Sequence, residues 1–596
     1  MRTCLAVVLT LCLAPAASAD PLLPAPAGGG DATLAELGRG FQRQQDVFAT
    51  AENGLSLDIV INPDDVALVQ SFFAQAQSDD FAQVTGRHPF SVVQTFGEWG
   101  DEGNFAGVAS VGVAARLMVL RRDGAPAAEL ARARDAAVRA ARAWHVYAAI
   151  GGPGIVARGI RRLRPENPAD PALPGTLPEL TPLTDASGNP LPEPKGDAWR
   201  APVASGFDDW IWLDNTSKDQ VSGYALAAVW LWDALKDDPA VPAEVTADLA
   251  ADLAAFAKAL MQPAPELGID LCIRDADGRL TGFHALNPRE ITEGFVVPED
   301  KPQNGFLAAL ALAIIRGAYH VSGDPDLGRY YYEELVAARD LPGKIPQNSG
   351  VIFLGTATNY SNVNMMAIAY ATLGRVETDP AVRAAIEDAL EHAFWDAGDV
   401  HDVSHVKQAW YDAVYAAFAP TADPAAVADR IRESLSGYQP APAFERDRLN
   451  CDDAEIAAGS CLAVDGTTVI TLAAGQGHGG GVVATAPLPL SIRPDTDFAW
   501  RSDPFSVNGT GSSLMDPRGD WLAAYWFARL ADRDPAKNLS PNARPPLGQP
   551  ALDGGLGAGS GGGGGGCVVA HRRSATSPAA GLAVALLAAL ARRRRR

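Results

Sequence analysis

Stretches that are apolar almost all round alternate along this chain with amphipathic, charge-bearing stretches. The first kind comprises Phe105 to Leu120, Gln220 to Leu235, Gly305 to Val321, Val363 to Val376, Val406 to Phe418 and Trp521 to Leu530. A helix that is apolar on every side is buried on every side, so these segments predict inner helices. The segments that follow, such as Glu129 to Trp144, Ala243 to Leu260 and Ala381 to Trp395, keep charge on one face and predict surface helices.

A short punctuation separates the two kinds. Asp-Pro stands at Asp238-Pro239, Asp324-Pro325, Asp379-Pro380, Asp423-Pro424 and Asp534-Pro535, with a looser version at Asp123-Gly124-Ala125-Pro126. Aspartate accepts from the free N–H groups of a helix start and proline suits the first turn, so each pair is expected to open an outer helix. The repeat of inner helix, turn and outer helix predicts an all-α domain over residues 34–536, an α/α toroid of about six helical hairpins. N-terminal helices around Leu34 to Thr50 and Pro63 to Ala76 are expected to complete it.

The pattern breaks at 440–489, a turn-rich segment with a β-like run, Thr467 to Leu472, before Gly477-His478-Gly479-Gly480-Gly481. It predicts a small β or loop insertion between the fifth and sixth hairpins. Asn189 to Ala204 reads as a proline-rich connection. Asp275-Ala276-Asp277-Gly278 predicts a type I′ hairpin turn rather than a calcium loop, because the acidic ligand that would follow is missing.

Both ends carry addresses. Arg2, an apolar core from Cys4 to Leu13, and Ala17-Ser18-Ala19 predict a signal peptide over 1–19, cleaved after Ala19. At the other end stand Gly561 to Gly566, Cys567, Arg572, Arg573, an apolar stretch from Ala579 to Ala591 and Arg592 to Arg596. An apolar segment followed by arginines predicts a membrane helix with its basic end at the cytoplasmic face. This order resembles the MYXO-CTERM sorting tail of myxobacterial surface proteins. The resemblance implies that Cys567 is the processing and anchoring position, that a sorting protease is a partner, and that an exported protein is held at the cell surface by 567–596. Residues 20–33 and 537–566 read as Pro/Gly-rich linkers.

The net charge of −22 understates the body, because eight of the basic residues lie in the two targeting segments and no acid does, which leaves about −30. Such a surface repels nucleic acid and polyanions. In an oxidising compartment Cys451 and Cys461 are expected to form a disulfide, and Cys272 to be a buried free thiol. His401 and His405 beside Asp402 fall short of a metal signature, and no metal or cofactor is expected.

If the inner helices run parallel, the loops that precede them converge at one end, and those loops are polar and aromatic. They contain Glu98, Trp99, Asp101 and Asn104; Trp212, Asp214, Asp219 and Gln220; Asn359, Asn362 and Asn364; His405, Trp410 and Asp412; and Arg501, Asp516, Asp520 and Trp521. Carboxylates at controlled separation with aromatic faces nearby are what glycosidic chemistry requires. Each acid also has a plainer reading as a helix cap. Through Asp219-Gln220-x-x-Gly223-Tyr224 and Ser322-Gly323-Asp324-Pro325 the body resembles the six-hairpin glycosidase-like superfamily. That resemblance implies a substrate funnel at the entry loops. The expected function is a glycoside hydrolase acting on a poly- or oligosaccharide, with acid and base drawn from Glu98, Asp101, Asp214 and Asp219. Substrate contacts are expected from Trp99, Trp212, Asn359, Asn362, His405, Trp410, Arg501 and Trp521. Two alternatives stand beside it: a polysaccharide lyase using Asn359, His405 and Tyr411, and a non-catalytic scaffold that binds glycan or protein.

Overall fold

The six apolar segments form helices Glu102–Arg122, Lys218–Leu235, Gly305–Ser322, Tyr360–Val376, Ala409–Phe418 and Gly519–Leu530, here the first to sixth inner helices. The protein is described from a computed structural model, over residues 20–75, 78–97, 99–189, 191, 198–348, 353–444, 451, 453–463, 465–478, 480–493, 503–507 and 513–549. Glu98, Arg501, Ala19, Cys567 and the segments expected to carry the export signal and sorting tail lie outside the described residues. Residues up to Gln549 belong to one unit, and the second, Pro550–Arg596, also falls outside them.

Apolarity on all sides does what the pattern implies: in the second inner helix every residue from Gln220 to Leu235 is buried. Each inner helix packs on the next in order, and the sixth packs back on the first. Glycines permit the closest approaches. A Cβ on Gly107 would lie 2.5 Å from the Gly223 backbone, and one on Gly103 2.8 Å from that of Gln220. Because the contacts ascend together along both helices, the first and second run parallel. Asp233, His320 and Arg375, near the C-terminal ends of the second, third and fourth inner helices, meet in one cluster, so these helices share that direction.

Ala127–Ala149 and Ala243–Leu260 follow the first two inner helices. Pro325–Arg329 and Pro380–Ala389 follow the third and fourth, each running on into a π-helical stretch, and Pro424–Ser436 follows the fifth. Asp324, Asp379 and Asp423 cap these last three starts as expected, accepting from main-chain N–H groups. Asp534 does the same for a short 3-10 turn. Asp238 differs: it accepts from Ala240 N, Arg121 and Arg134, and the helix begins later, behind Pro242. The sixth inner helix is followed by no long outer helix among the described residues, and Ala32–Gln44 packs against it.

The described parts of both segments expected to be linkers, 20–33 and 537–549, make packing contacts instead. Leu22 and Leu23 are buried and donate their N–H groups to Ala531 O and Ala528 O. Beyond the sixth inner helix, Ser540 Oγ donates to Asp233 at 2.8 Å, Asn538 Nδ2 to Ala417 O at 2.9 Å and Arg544 Nε to His320 O at 2.7 Å. This strap covers the C-terminal ends of the inner helices. Burial alone would raise Asp233, but the Arg375 and His320 side chains beside it hold its carboxyl well below the usual range.

Small sheets brace the opposite end. Trp210–Leu213, expected as loop, is a buried strand between Gly159–Arg162 and Trp199–Arg200, because each of its four apolar residues finds an interior. Asp58–Ile61 lies between Val93–Gly97 and Leu514–Met515. The insertion is a three-stranded antiparallel sheet of Ser460–Leu462, Val469–Gln476 and Val482–Ala484, with the Cys451–Cys461 disulfide in its own small core. Cys272 is buried and free, its thiol pushed up to about 12 by burial. Cys272–Arg274 and Leu280–Ala285 form the expected hairpin. Its turn is not type I′: only Gly278 has a positive φ, 85°, since Ala276 and Asp277 carry a Cβ that disfavours the second left-handed position.

Candidate functional site

The first and second inner helices start side by side, and this juxtaposition organises the polar groups of the entry end. Gln220 Nε2 donates to Asp101 Oδ1 at 3.4 Å and to Asp219 Oδ2 at 3.1 Å. The two carboxylate oxygens are therefore no farther apart than the sum of those distances. Gln220 Oε1 accepts from Asn104 N at 3.1 Å, which fixes the amide's orientation. Asn104 Nδ2 donates to the Asp219 main-chain oxygen at 3.4 Å, and Asn104 Oδ1 accepts from Asn364 Nδ2 at 2.7 Å. Asn104, Gln220 and Asn364 are fully buried, whereas Asp101 and Asp219 are half-buried. Neither helix start takes a side-chain cap from these aspartates, so the capping explanation does not hold for Asp101 or Asp219.

A second layer lies behind this pair. Tyr147 donates its hydroxyl to Arg158 O at 3.0 Å; burial, then the charges of Glu102, Asp219 and Asp101, push its phenol well above the usual value. Arg158 Nε donates to Gly100 O at 2.9 Å, pinning the turn before Asp101. Glu102 accepts from Ile160 N at 2.8 Å and from Asn53 Nδ2, and Glu52 accepts from Arg162 N at 3.0 Å with Arg161 Nε at 3.7 Å. Burial pushes both carboxyls up to about 8.

Other expected site residues sit elsewhere in the packing. Asp214 is 1% exposed and paired to the equally buried Arg200 at 3.1 Å; Arg200 in turn donates to Thr181 O and Pro182 O. This carboxylate anchors a connection and leaves the acid/base set. Trp212, Trp410 and Trp521 are fully buried, so their faces meet protein rather than sugar. Trp212 Nε1 donates to Ala201 O at 2.9 Å and Trp521 Nε1 to Leu435 O at 3.0 Å. Trp99 is half-buried, edge-on to Trp199, with the Arg161 guanidinium 4.9 Å from its ring centre. Asn359 caps the fourth inner helix through Ser361 N, and Asn362 N donates to Asn359 O. His405 is exposed and engages Asp402 at 2.8 Å, whereas His401 engages Asp399 at 3.1 Å, so the two rings do not converge. Among the described residues no three His, Cys, Asp or Glu side chains are grouped to hold a metal.

Asn104, Gln220 and Asn364 belong to the entry loops and helix starts, yet sequence reasoning gave them no role. The available signal was an amide standing in the first turns of an otherwise apolar helix. Lys218, Phe283 and Phe295 were also passed over. Lys218 Nζ donates to Glu293 Oε1 at 2.6 Å and lies 5.4 Å from the Phe283 ring centre, at the start of the second inner helix. A surface cavity of about 450 Å³ is lined by Lys258, Met261, Gln262, Arg329, Tyr330 and Glu333, and by none of the entry-end residues named above. No family model matches the sequence, and neither the curated proteins nor the solved structures contain a match.

Proposed function

We propose that the ring of inner helices and its outer partners form a closed α/α toroid whose entry end is the active site of a glycoside hydrolase. The observation that carries this reading is the single Gln220 amide hydrogen-bonded to both Asp101 and Asp219. Two oxygens that can be no farther apart than these two bonds laid end to end favour the close spacing of a retaining pair over the wider gap that admits a water in an inverting one. Asp219, in the first turn of its helix and on the shorter of the two bonds from Gln220, is assigned as the nucleophile and Asp101 as the acid. Asp101 donates its proton to the glycosidic oxygen as Asp219 bonds to the anomeric carbon and the leaving group departs. Water then displaces Asp219, its proton returning to Asp101.

The strap over the far ends of the inner helices supports access from the entry end alone. The lyase residues fit less well, because Asn359 is engaged as a cap and Tyr411 is fully buried. A non-catalytic glycan-binding scaffold is the second reading, favoured by the removal of Asp214 from the acid/base set. The terminal segments support export and anchoring at the cell surface, with a sorting protease acting near Cys567; recovery of the chain in the cytosol would overturn that assignment. The function is tested by incubating the full chain with neutral and acidic polysaccharides and following reducing ends and unsaturated uronate together. New reducing ends that disappear in both Asp101→Asn and Asp219→Asn support the hydrolase. Unsaturated product makes the enzyme a lyase, and silence across the panel from folded protein leaves the scaffold.

A further inference from the structure

Two small hairpins separate the second outer helix from the third inner helix, and each presents a phenyl ring to solvent. Phe283 is 52% exposed and Phe295 61% exposed. Their position is fixed by specific bonds. Phe283 forms a β-bridge with Ser217, the residue before the second inner helix, and Gly282 N donates to Asn215 Oδ1 at 2.8 Å. His284 Nε2 shares a 2.8 Å hydrogen bond with Glu290 Oε1, tying the first hairpin to the second. Phe295 lies two residues beyond Glu293, whose carboxylate takes the Lys218 ammonium at 2.6 Å. The Phe283 ring centre thus lies 5.4 Å from the ammonium of this ion pair, Phe295 sits on the hairpin that carries its carboxylate, and Lys218 immediately precedes Asp219 in the chain.

An isolated exposed phenyl is ordinary, but two of them on hairpins joined to one bonded donor and acceptor form a surface of particular chemistry. Sugar rings have an apolar face of C–H groups and an edge of hydroxyls; an aromatic face takes the first and a paired Lys–Glu offers acceptor and donor atoms to the second. The ammonium is neutralised by Glu293, so the strip has no unbalanced positive charge for a carboxylate-bearing sugar, and the acidic body repels polyanions. We infer that Phe283 and Phe295, together with the Lys218–Glu293 pair, form an outer subsite that binds a neutral glycan chain as it leads into the Asp101–Asp219 pair. This rests on the glycosidase reading for its direction, but its binding claim is separable from catalysis.

The test is affinity electrophoresis of the full chain through gels containing galactomannan, hydroxyethyl cellulose or dextran, with alginate as the anionic control. A neutral polysaccharide is expected to retard the protein and alginate to leave it unretarded. Phe283→Ala and Phe295→Ala should each weaken retardation about five- to tenfold, the size of one aromatic contact, and Phe283→Trp should restore it. Both rings are half in water, so these variants keep the fold, checked by an unchanged melting temperature. Asp219→Asn should bind like the parent while losing hydrolysis. Equal retardation of parent and alanine variants, retardation by alginate alone, or no retardation by any neutral polymer overturns the strip. Hydrolysis persisting in Asp219→Asn overturns the catalytic reading and leaves the strip standing.

Discussion

Asn364 donates its amide to Asn104 at 2.7 Å, joining the fourth inner helix to the first although the two are not neighbours in the ring. Both side chains are fully buried, and the same Asn104 holds Gln220 through its main-chain N–H. Removing the Asn364 amide leaves Asn104 Oδ1 buried without this donor, at a cost of about 1–3 kcal/mol. Asn364→Ala is therefore expected to lower the melting temperature measurably. Asn364→Asp, which keeps the shape but loses the N–H donor, should do at least as much. An unchanged melting temperature in both would mean that the bond is absent in solution.

Gln220→Ala is expected to act on the carboxylates it touches more than on stability. Without the shared donor, the two carboxylates lose the group that fixes their relative placement, so kcat should fall by about tenfold or more. An unchanged kcat, with only KM altered, would place Gln220 in substrate binding and detach it from the acid pair.

Much of the helical frame was legible in the sequence. The six inner helices begin and end within a few residues of the apolar stretches, because burial on all sides has only one sequence signature. Asp324, Asp379 and Asp423 cap as expected because side-chain capping is local. The site was less legible. Nothing in the sequence around Asp214 reveals that Arg200 pairs with it, and Asp219, in nearly the same local setting, instead meets Asp101 through a residue of its own helix. Trp212 and Trp521 looked like entry-loop aromatics, and their burial depends on strands and helices from distant parts of the chain. Long-range pairing decides which polar residues at a helix start become structural.

Stability should fall as pH rises from about 5 to 8. Glu52 and Glu102 are pushed up to about 8 by burial, whereas in the unfolded chain they titrate near the ordinary glutamate value of about 4.3. Between those limits the folded state holds more protons than the unfolded state. The contribution is thus fully present below the unfolded pKa and is lost as pH rises through the folded one. Glu52→Gln, whose uncharged amide needs no proton to stay buried, should flatten the dependence of melting temperature on pH. A variant as pH-sensitive as the parent would show that Glu52 stays ionised in the fold.

The strap after the sixth inner helix gives a prediction about length. Asp233 carries a negative charge in the interior, and Ser540, His320 and Arg375 supply its hydrogen bonds. Deleting residues after Arg533 removes Ser540 and exposes the ends of three helices, so the shortened chain should aggregate or melt far below the parent. A truncation after Gln549 keeps every one of these bonds and should melt like the full chain. Equal stability of both truncations would return the strap to the status of a linker.

Asp214→Asn separates a structural role from a catalytic one. The substitution leaves the Arg200 guanidinium charged, buried and facing a neutral amide, and breaking a buried pair from one side costs about 3–5 kcal/mol. The melting temperature should drop by many degrees, while the protein that stays folded at low temperature should keep most of its kcat. Asp219→Asn should show the converse, near-normal stability with activity lost, because its carboxylate is half-buried and held by a neutral amide rather than by a buried charge. Comparing the two at one temperature below both transitions removes unfolding from the comparison. If Asp214→Asn were stable and inactive, the carboxylate would belong to the reacting pair and Arg200 would be the group that sets its charge.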